Sequence, residues 1–234
     1  GGYKAYRKYV VQQLKALPAQ FEFRVVCGET GSGKSRLLET LARCGEQVLD
    51  LEALACHKGS VLGGLPEQPQ PSQKMFESLV WNALRTMNPD KPVYIEAESK
   101  KIGRLRTPEF LFERMTQSRE LVRVEVDLNA RVEFLLRDYD YFVNDPEALK
   151  IKLAYLKTLH GWRTINEWVD LIDQKDWHSL VAQLLTQHYD PAYRKSMNAT
   201  YPQLQEATTL TAGALNDRTY EAWVKQLQAV SEVN

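Results

Sequence analysis

The stretch Phe21-Glu22-Phe23-Arg24-Val25-Val26-Cys27-Gly28-Glu29-Thr30-Gly31-Ser32-Gly33-Lys34-Ser35-Arg36-Leu37-Leu38 decides the reading of this chain. Phe21 to Cys27 is rich in β-branched and aromatic residues and predicts a strand. From Lys34 to Arg43, Leu37, Leu38 and Leu41 recur at helical spacing. Between them lies Gly-x-x-x-x-Gly-Lys-Ser, which in that setting is a phosphate-binding loop. The residue types follow from the task. Gly28, Thr30, Gly31, Ser32 and Gly33 turn successive backbone N–H groups into one concavity, and the following helix adds its positive end. Lys34 brings a point charge to the outer phosphate, and the Ser35 hydroxyl is placed to hold Mg²⁺. A glycine-rich turn matching by chance is the competing reading, and the flanking strand and helix argue against it.

Working outward, Tyr3 to Leu17 predicts an amphipathic helix with Tyr6, Val10, Leu14 and Leu17 on one stripe, ended by Pro18. Gln47 to Leu51 predicts a second strand, and Ala55 to Pro71 a long aperiodic loop of the kind that often carries function. Ser72 caps a helix whose apolar face is Met75, Phe76, Leu79, Val80, Ala83, Leu84 and Met87, stopped by Asn88-Pro89. Pro92 to Ala97 is a third strand, and Thr107-Pro108-Glu109 starts a helix with proline at its first position. Leu121 to Val126 is a fourth strand, and Asn129 to Tyr139 a helix. Such alternation implies an α/β fold: a P-loop NTPase-like parallel sheet flanked by helices, with a helical subdomain toward the C-terminus.

That subdomain opens at Asp145-Pro146 with a helix expected to end at Gly161. Thr164-Ile165-Asn166-Glu167 reads as a capping box, and Trp177 to Tyr189 as a third helix. Ala207 to Ala212 is expected to return to the sheet, and Asp217 to Val230 to close the chain with Tyr220, Trp223, Val224 and Leu227 inward. The expected layout is a linker helix over 1–20, a P-loop core over 21–140, a helical subdomain over 141–200 and a returning strand and helix over 201–234.

The bulk composition narrows the function. Lysine plus arginine equals aspartate plus glutamate at 30 each, so any RNA contact must come from a local patch rather than from the overall field. No apolar run approaches a membrane span and no signal-peptide pattern opens the chain, which points to a cytoplasmic protein without a membrane partner. Cys27, Cys44 and Cys56 form no Cys-x-x-Cys pair, so free thiols are expected rather than a disulfide framework or structural zinc. The opening Gly1-Gly2, without methionine, suggests a piece of a longer protein.

In P-loop NTPases an acidic residue at a neighbouring strand end supports the metal. Asp50 and Glu96 occupy such places, with Glu98 on the same strand face as Glu96; capping or solvated carboxylates are the alternatives. From the loop alone, an ATP-dependent small-molecule or nucleoside kinase, or an RNA-binding module with a structural P-loop, also stands open. Arg131 and Arg137 would then form a lid by kinase analogy.

Four motifs surround the loop in order: Tyr3-Lys4-Ala5-Tyr6-Arg7; Asp50-Leu51-Glu52-Ala53-Leu54-Ala55-Cys56-His57-Lys58-Gly59-Ser60; Pro71-Ser72-Gln73 with Phe76-Glu77; and Ile95-Glu96-Ala97-Glu98-Ser99-Lys100-Lys101-Ile102-Gly103. With them the chain resembles the tRNA 2-selenouridine synthases, from Gly2 to roughly Met115 and more loosely beyond. The resemblance implies an enzyme that joins a rhodanese-like domain to a P-loop domain and converts wobble 2-thiouridine in tRNA to 2-selenouridine. Geranyl diphosphate first gives S-geranyl-2-thiouridine, and selenophosphate then displaces the geranylthiol. The P-loop then serves diphosphate without requiring ATP. Lys34, Ser35, Asp50 and Glu96 become the catalytic candidates, with Mg²⁺ on Ser35 and Asp50. Val61, Leu62 and Leu65, or the tryptophan-bearing helices, would line a terpenyl groove, with plain core packing the alternative for any one of them. Lys100, Lys101, Arg104 and Arg106 form the expected tRNA patch. Lys4, Arg7 and Lys8 among Tyr3, Tyr6 and Tyr9 form a second, equally readable as a solvated helix face. His57 is either a proton carrier or a loop histidine with no chemical role.

Overall fold

Residues 2–60, 62–65, 68–139 and 143–233 are described in the computed structural model; Val61, one of the expected groove residues, lies outside them. The β-branched run becomes β1 (Phe23–Gly28), buried on both faces except at Arg24. It is the middle of a five-stranded parallel sheet with β2 (Gln47–Leu49), β3 (Val93–Glu96), β6 (Leu121–Val126) and β7 (Thr208–Ala212), in the order β2-β3-β1-β6-β7. Val25 pairs with Ile95 on one side and Leu121 on the other. A central strand must be apolar on both faces when helices cover both, and this composition meets that demand.

One face packs on α1 (Tyr3–Ala16), α4 (Gln73–Leu84) and α5 (Glu109–Thr116) through Val10, Leu14, Phe76, Val80, Leu84 and Leu111. The other packs on α2 (Lys34–Arg43) and α11 (Asp217–Val233) through Leu37, Leu38, Leu41, Tyr220, Trp223, Val224 and Leu227. On α4 the buried stripe is Phe76, Val80 and Leu84, while Met75 points outward at 54% exposure, so the expected apolar face was drawn one residue too wide.

Three short elements escaped the sequence reading. Asp50 ends no strand; it caps α3 (Leu51–Ala55) inside the stretch read as strand and loop. Lys101–Ile102 and Leu105–Arg106 form an antiparallel hairpin, β4-β5. Pro108 is the cap of α5 with an extended ψ of 131°, not its first helical residue.

After α6 (Leu128–Asp138), α7 (Pro146–Ala154), α8 (Lys157–Asp173) and α9 (Trp177–Leu184) build a separate small core from Leu149, Leu153, Ile165, Trp168, Ile172 and Leu180. Gly161 does not end the first of these helices. Its φ of 76° and ψ of 163° instead kink α8, and Thr164 sits inside a helix already begun, so the expected capping box does not form. A π-helical turn, Leu185–Tyr189, joins α9 directly to α10 (Asp190–Thr200). That last helix packs on the main sheet core through Met197. Among the described residues no helix is long and apolar enough to cross a membrane.

Candidate functional site

The loop between β1 and α2 is shaped by its glycines and by what presses on them. Gly31 and Gly33 have φ of 80° and 79°, the left-handed region that costs glycine nothing. A Cβ on Gly31 would lie 2.9 Å from the Leu135 side chain, and one on Gly33 would lie 2.5 Å from the Tyr220 hydroxyl. So α6 and α11 hold the loop from both sides. Lys34 donates to the Gly28 carbonyl at 2.7 Å and stands 3.4 Å from a Glu96 carboxylate oxygen, curled over the loop. The Tyr193 hydroxyl accepts the Gly28 N–H at 2.5 Å.

Behind Lys34, three carboxylates converge. One oxygen from each of Glu52, Glu96 and Glu98 lies within 4.8 Å of the other two. Glu96 and Glu98 are buried. Burial raises the pKa of all three; repulsion by Glu96 adds to it at Glu52 and Glu98, and repulsion by Asp50 adds to it at Glu96, with Lys34 pulling the other way. Glu98 is pushed up to about 8 and Glu52 to about 11. Glu96 ends β3, and Glu98 turns back so that its N–H donates to the Glu96 carbonyl. Both, with Glu52, Lys58, Thr30, Ser35, His188 and Tyr193, line a cleft of about 410 Å³ in front of the loop.

Asp50 has another task. Its carboxylate accepts the Ala53 N–H at 2.8 Å as the cap of α3 and does not line that cleft. Ser35 lines the cleft together with the three glutamates, whereas Asp50 does not. Arg131 forms no lid either. It is 3% exposed, bonded through both terminal nitrogens to Asp190 at 2.9 and 2.7 Å, and reaches Glu29 and the Thr30 carbonyl. A guanidinium committed to three partners cannot swing onto a ligand. Arg137 reaches instead toward the Leu215 carbonyl.

The basic patch lies on the hairpin that follows Glu98 and Ser99. Lys100, Lys101, Arg104 and Arg106 are all exposed. Gln70 accepts the Arg104 N–H and donates to the Ile102 carbonyl, while Gln73 does the same for Arg106 at both of its backbone groups. Gln73 of the third motif, with Gln70 just before it, thus braces the patch. The second patch is partly used within the fold: Arg7 pairs with Glu77, and Tyr6 and Tyr9 meet Trp81 edge-on. His57 is buried under its loop beside Gly63 and Gly103, its pKa lowered first by burial and then by Lys152. Cys27 is buried inside β1 with its thiol pushed up to about 12, an inert group.

The sequence pointed to Lys34, Ser35, Glu96 and Glu98 but not to Glu52, Asp190 or Tyr193. Glu98 carried a signal, the two-residue spacing from Glu96. Glu52 lies in the second motif, but its run opens like a strand, so the sequence alone does not show the short helix that carries it. Asp190 and Tyr193 approach from a helix more than 150 residues further along the chain.

The family model of the tRNA 2-selenouridine synthase AAA domain matches residues 21–152. The chain belongs to the tRNA 2-selenouridine synthase family. It is 33% identical over 221 residues to the tRNA 2-selenouridine synthase of Marinobacter nauticus, covering 82% of this chain and 59% of that protein. The Nitrosomonas europaea synthase is 36% identical over 157 residues, 66% of this chain and 40% of that protein. In Nitrosomonas eutropha the figure is 39% over 142 residues, 59% and 36% respectively. The chain therefore spans at most about three fifths of these relatives' length. The matched region holds the loop, the three glutamates and the basic hairpin; α8, α9, α10, β7 and α11 lie beyond it.

Proposed function

We propose that this chain is the P-loop part of an enzyme that converts wobble 2-thiouridine in tRNA to 2-selenouridine through S-geranyl-2-thiouridine. In this reading the P-loop holds the phosphate groups of geranyl diphosphate or selenophosphate, and the rhodanese-like domain of the same full-length protein handles selenium delivery. The observation that carries it is Lys34 curled over the glycine loop, facing a cleft that reaches Ser99 at the foot of an exposed basic hairpin. Lys34 and the loop amides neutralise the charge growing on a departing diphosphate. Lys100, Lys101, Arg104 and Arg106 hold the tRNA backbone beside it.

Mg²⁺ fits this site better through the glutamates than through Asp50. Glu52, Glu96 and Glu98 offer three carboxylate oxygens close together, and Ser35 lines the same cleft. A bound Mg²⁺ would supply further charge neutralisation at the diphosphate. The kinase reading loses its lid because Arg131 is locked to Asp190.

Lys34→Ala tests the assignment. In the full-length enzyme it should lower geranylation of a 2-thiouridine tRNA by about 100-fold, the size expected for losing one aimed charge. Unchanged geranylation would remove the P-loop from the reaction. ATP binding by calorimetry with no response to geranyl diphosphate would return the kinase reading.

A further inference from the structure

Among the described residues that line the cleft in front of the loop, His188 is the one imidazole, and holding phosphate gives it no task. It stands on the π-helical turn Leu185–Tyr189, and its Nδ1 lies 3.0 Å from the Nε2 of His160. His160 comes immediately before Gly161, whose left-handed φ kinks α8. Two irregular backbone segments therefore meet at one hydrogen bond, and π-turns, rare in helices, recur at functional sites. Behind the pair, the buried Trp168 ring meets His160 edge-on, with 5.1 Å between ring centres, and backs the second imidazole.

A hydrogen bond between two neutral imidazoles has one donor and one acceptor. When His188 donates from Nδ1, its Nε2 is left bare, and among the described residues that nitrogen has no partner. A base facing the cleft needs this tautomer, and His160 selects it by accepting. Burial and, after it, His160 lower the His188 pKa, so the ring is uncharged near neutral pH. The other charged or titratable groups in the cleft are Lys34, Lys58, Glu52, Glu96, Glu98, Asp138, Tyr139, Tyr189 and Tyr193. Lys34 pairs with Glu96 and Lys58 with Asp138, while Glu52 and Glu98, pushed up to about 11 and about 8, hold their protons at pH 7. On the helices packed against the turn, Asp190 is taken by Arg131 and His178 is exposed.

S-alkylation of a 2-thiouridine has a proton to dispose of. The sulfur forms a bond to C1 of the geranyl chain, the C1–O bond breaks, and its electron pair leaves with diphosphate. The N3–H bond of the base then breaks and its electrons form the N3=C2 double bond, so the product is neutral only once that proton is taken. We infer that Nε2 of His188 accepts the N3 proton, with His160 as the positioning residue that keeps this nitrogen bare. The inference rests on the reading of the P-loop as a diphosphate holder. The imidazolium so formed shares the cleft with Lys34, adds its charge opposite the departing diphosphate, and returns its proton to solvent.

The test is the single-turnover rate of geranyl transfer to a 2-thiouridine tRNA by the full-length enzyme, followed across about pH 5 to 9. The native rate should rise as His188 loses its proton and level off near neutrality. Glu98 titrates near pH 8, so the acid limb is the diagnostic one. His188→Gln should lower the rate about 100-fold near pH 7, abolish that limb, and regain activity with added imidazole. Inorganic diphosphate, measured by calorimetry, should bind it as it binds the native enzyme. His160→Leu should lower the rate about tenfold, and His160→Gln, whose amide oxygen can accept from Nδ1, should restore part of it. In both, the limb should move to higher pH, because one of the two influences lowering the His188 pKa is gone. A native rate and limb in His188→Gln would overturn the assignment and leave the P-loop reading standing. So would a loss equal at every pH that imidazole does not restore, which is what a merely structural defect gives. A native enzyme that neither binds inorganic diphosphate nor transfers geranyl would overturn both.

Discussion

The two sides of the cleft in front of the glycine loop are built in different ways. On the sheet side, Gly28 to Ser35, Glu96 and Glu98 follow strand ends, and adjacent strands bring those ends together by parallel pairing. On the helical side, Asp190, Tyr193 and His188 belong to α10 and the π-turn before it, and reach the loop only because that region folds back across the sheet. The first side carries the groups that would meet phosphate. The second carries groups that hold the first in place: Asp190 neutralises Arg131, Arg131 grips Glu29 and the Thr30 carbonyl, and Tyr193 takes the Gly28 N–H. What would bind phosphate is local in the chain here, and its support is remote.

The sharpest way to break that division is to remove Asp190. Arg131 and Asp190 are both nearly inaccessible, at 3% and 4% exposure, so deleting Asp190 leaves the buried guanidinium to the more exposed Glu29 carboxylate. Asp190→Ala should cost about 3–5 kcal/mol in urea unfolding, and Arg131→Met added to it should recover part of the loss. A cost below about 1 kcal/mol would show that the helical side does not clamp the loop.

The sheet side should betray itself through pH. The Glu98 carboxyl, ordinarily near 4.5, is raised to about 8 in the fold, first by burial and then by Glu96. A folded-state value above the unfolded one means that the folded chain binds more protons between them. Stability from this group is therefore complete below about pH 4.5 and declines as pH rises through about 8. Glu98→Gln should flatten that decline. Mg²⁺ added near pH 8 should raise the melting temperature of the native chain more than that of Glu96→Gln. A decline of the same slope in Glu98→Gln would place the titration elsewhere.

Why one side was legible and the other was not follows from the range of the forces. A P-loop is written in consecutive residues because backbone turns, N–H direction and the helix end are fixed within eight positions. The sheet was legible for a similar reason, since β1, β3, β6 and β7 each show a short β-branched run. Glu52 was missed because α3 is five residues long, too short for its period to be seen in a run that opens like a strand. The capping box at Thr164 failed because a left-handed glycine three residues earlier let the helix begin sooner. The Arg131–Asp190 pair has no local signature at all: 59 residues separate its partners, and two charged residues on amphipathic helices read as solvent-facing until the fold buries them.

The smallest expected effect lies at the joint between the two sides. The Tyr193 hydroxyl accepts the Gly28 N–H at the point where β1 becomes the glycine loop. Gly28 itself has no room for a side chain, since a Cβ there would come within 2.6 Å of the Ser32 hydroxyl and 2.9 Å of the Val124 carbonyl. Tyr193→Phe keeps the ring that flanks Lys34 and deletes only the acceptor, leaving one backbone amide without this partner. About 1 kcal/mol of stability should go, and diphosphate affinity should change by less than about threefold. If affinity instead fell as far as in Lys34→Ala, the hydroxyl would be aiming the loop amides as well as bracing them. The helical side would then share in holding diphosphate, and the division between a phosphate-binding side and a supporting side would have to be redrawn at Tyr193.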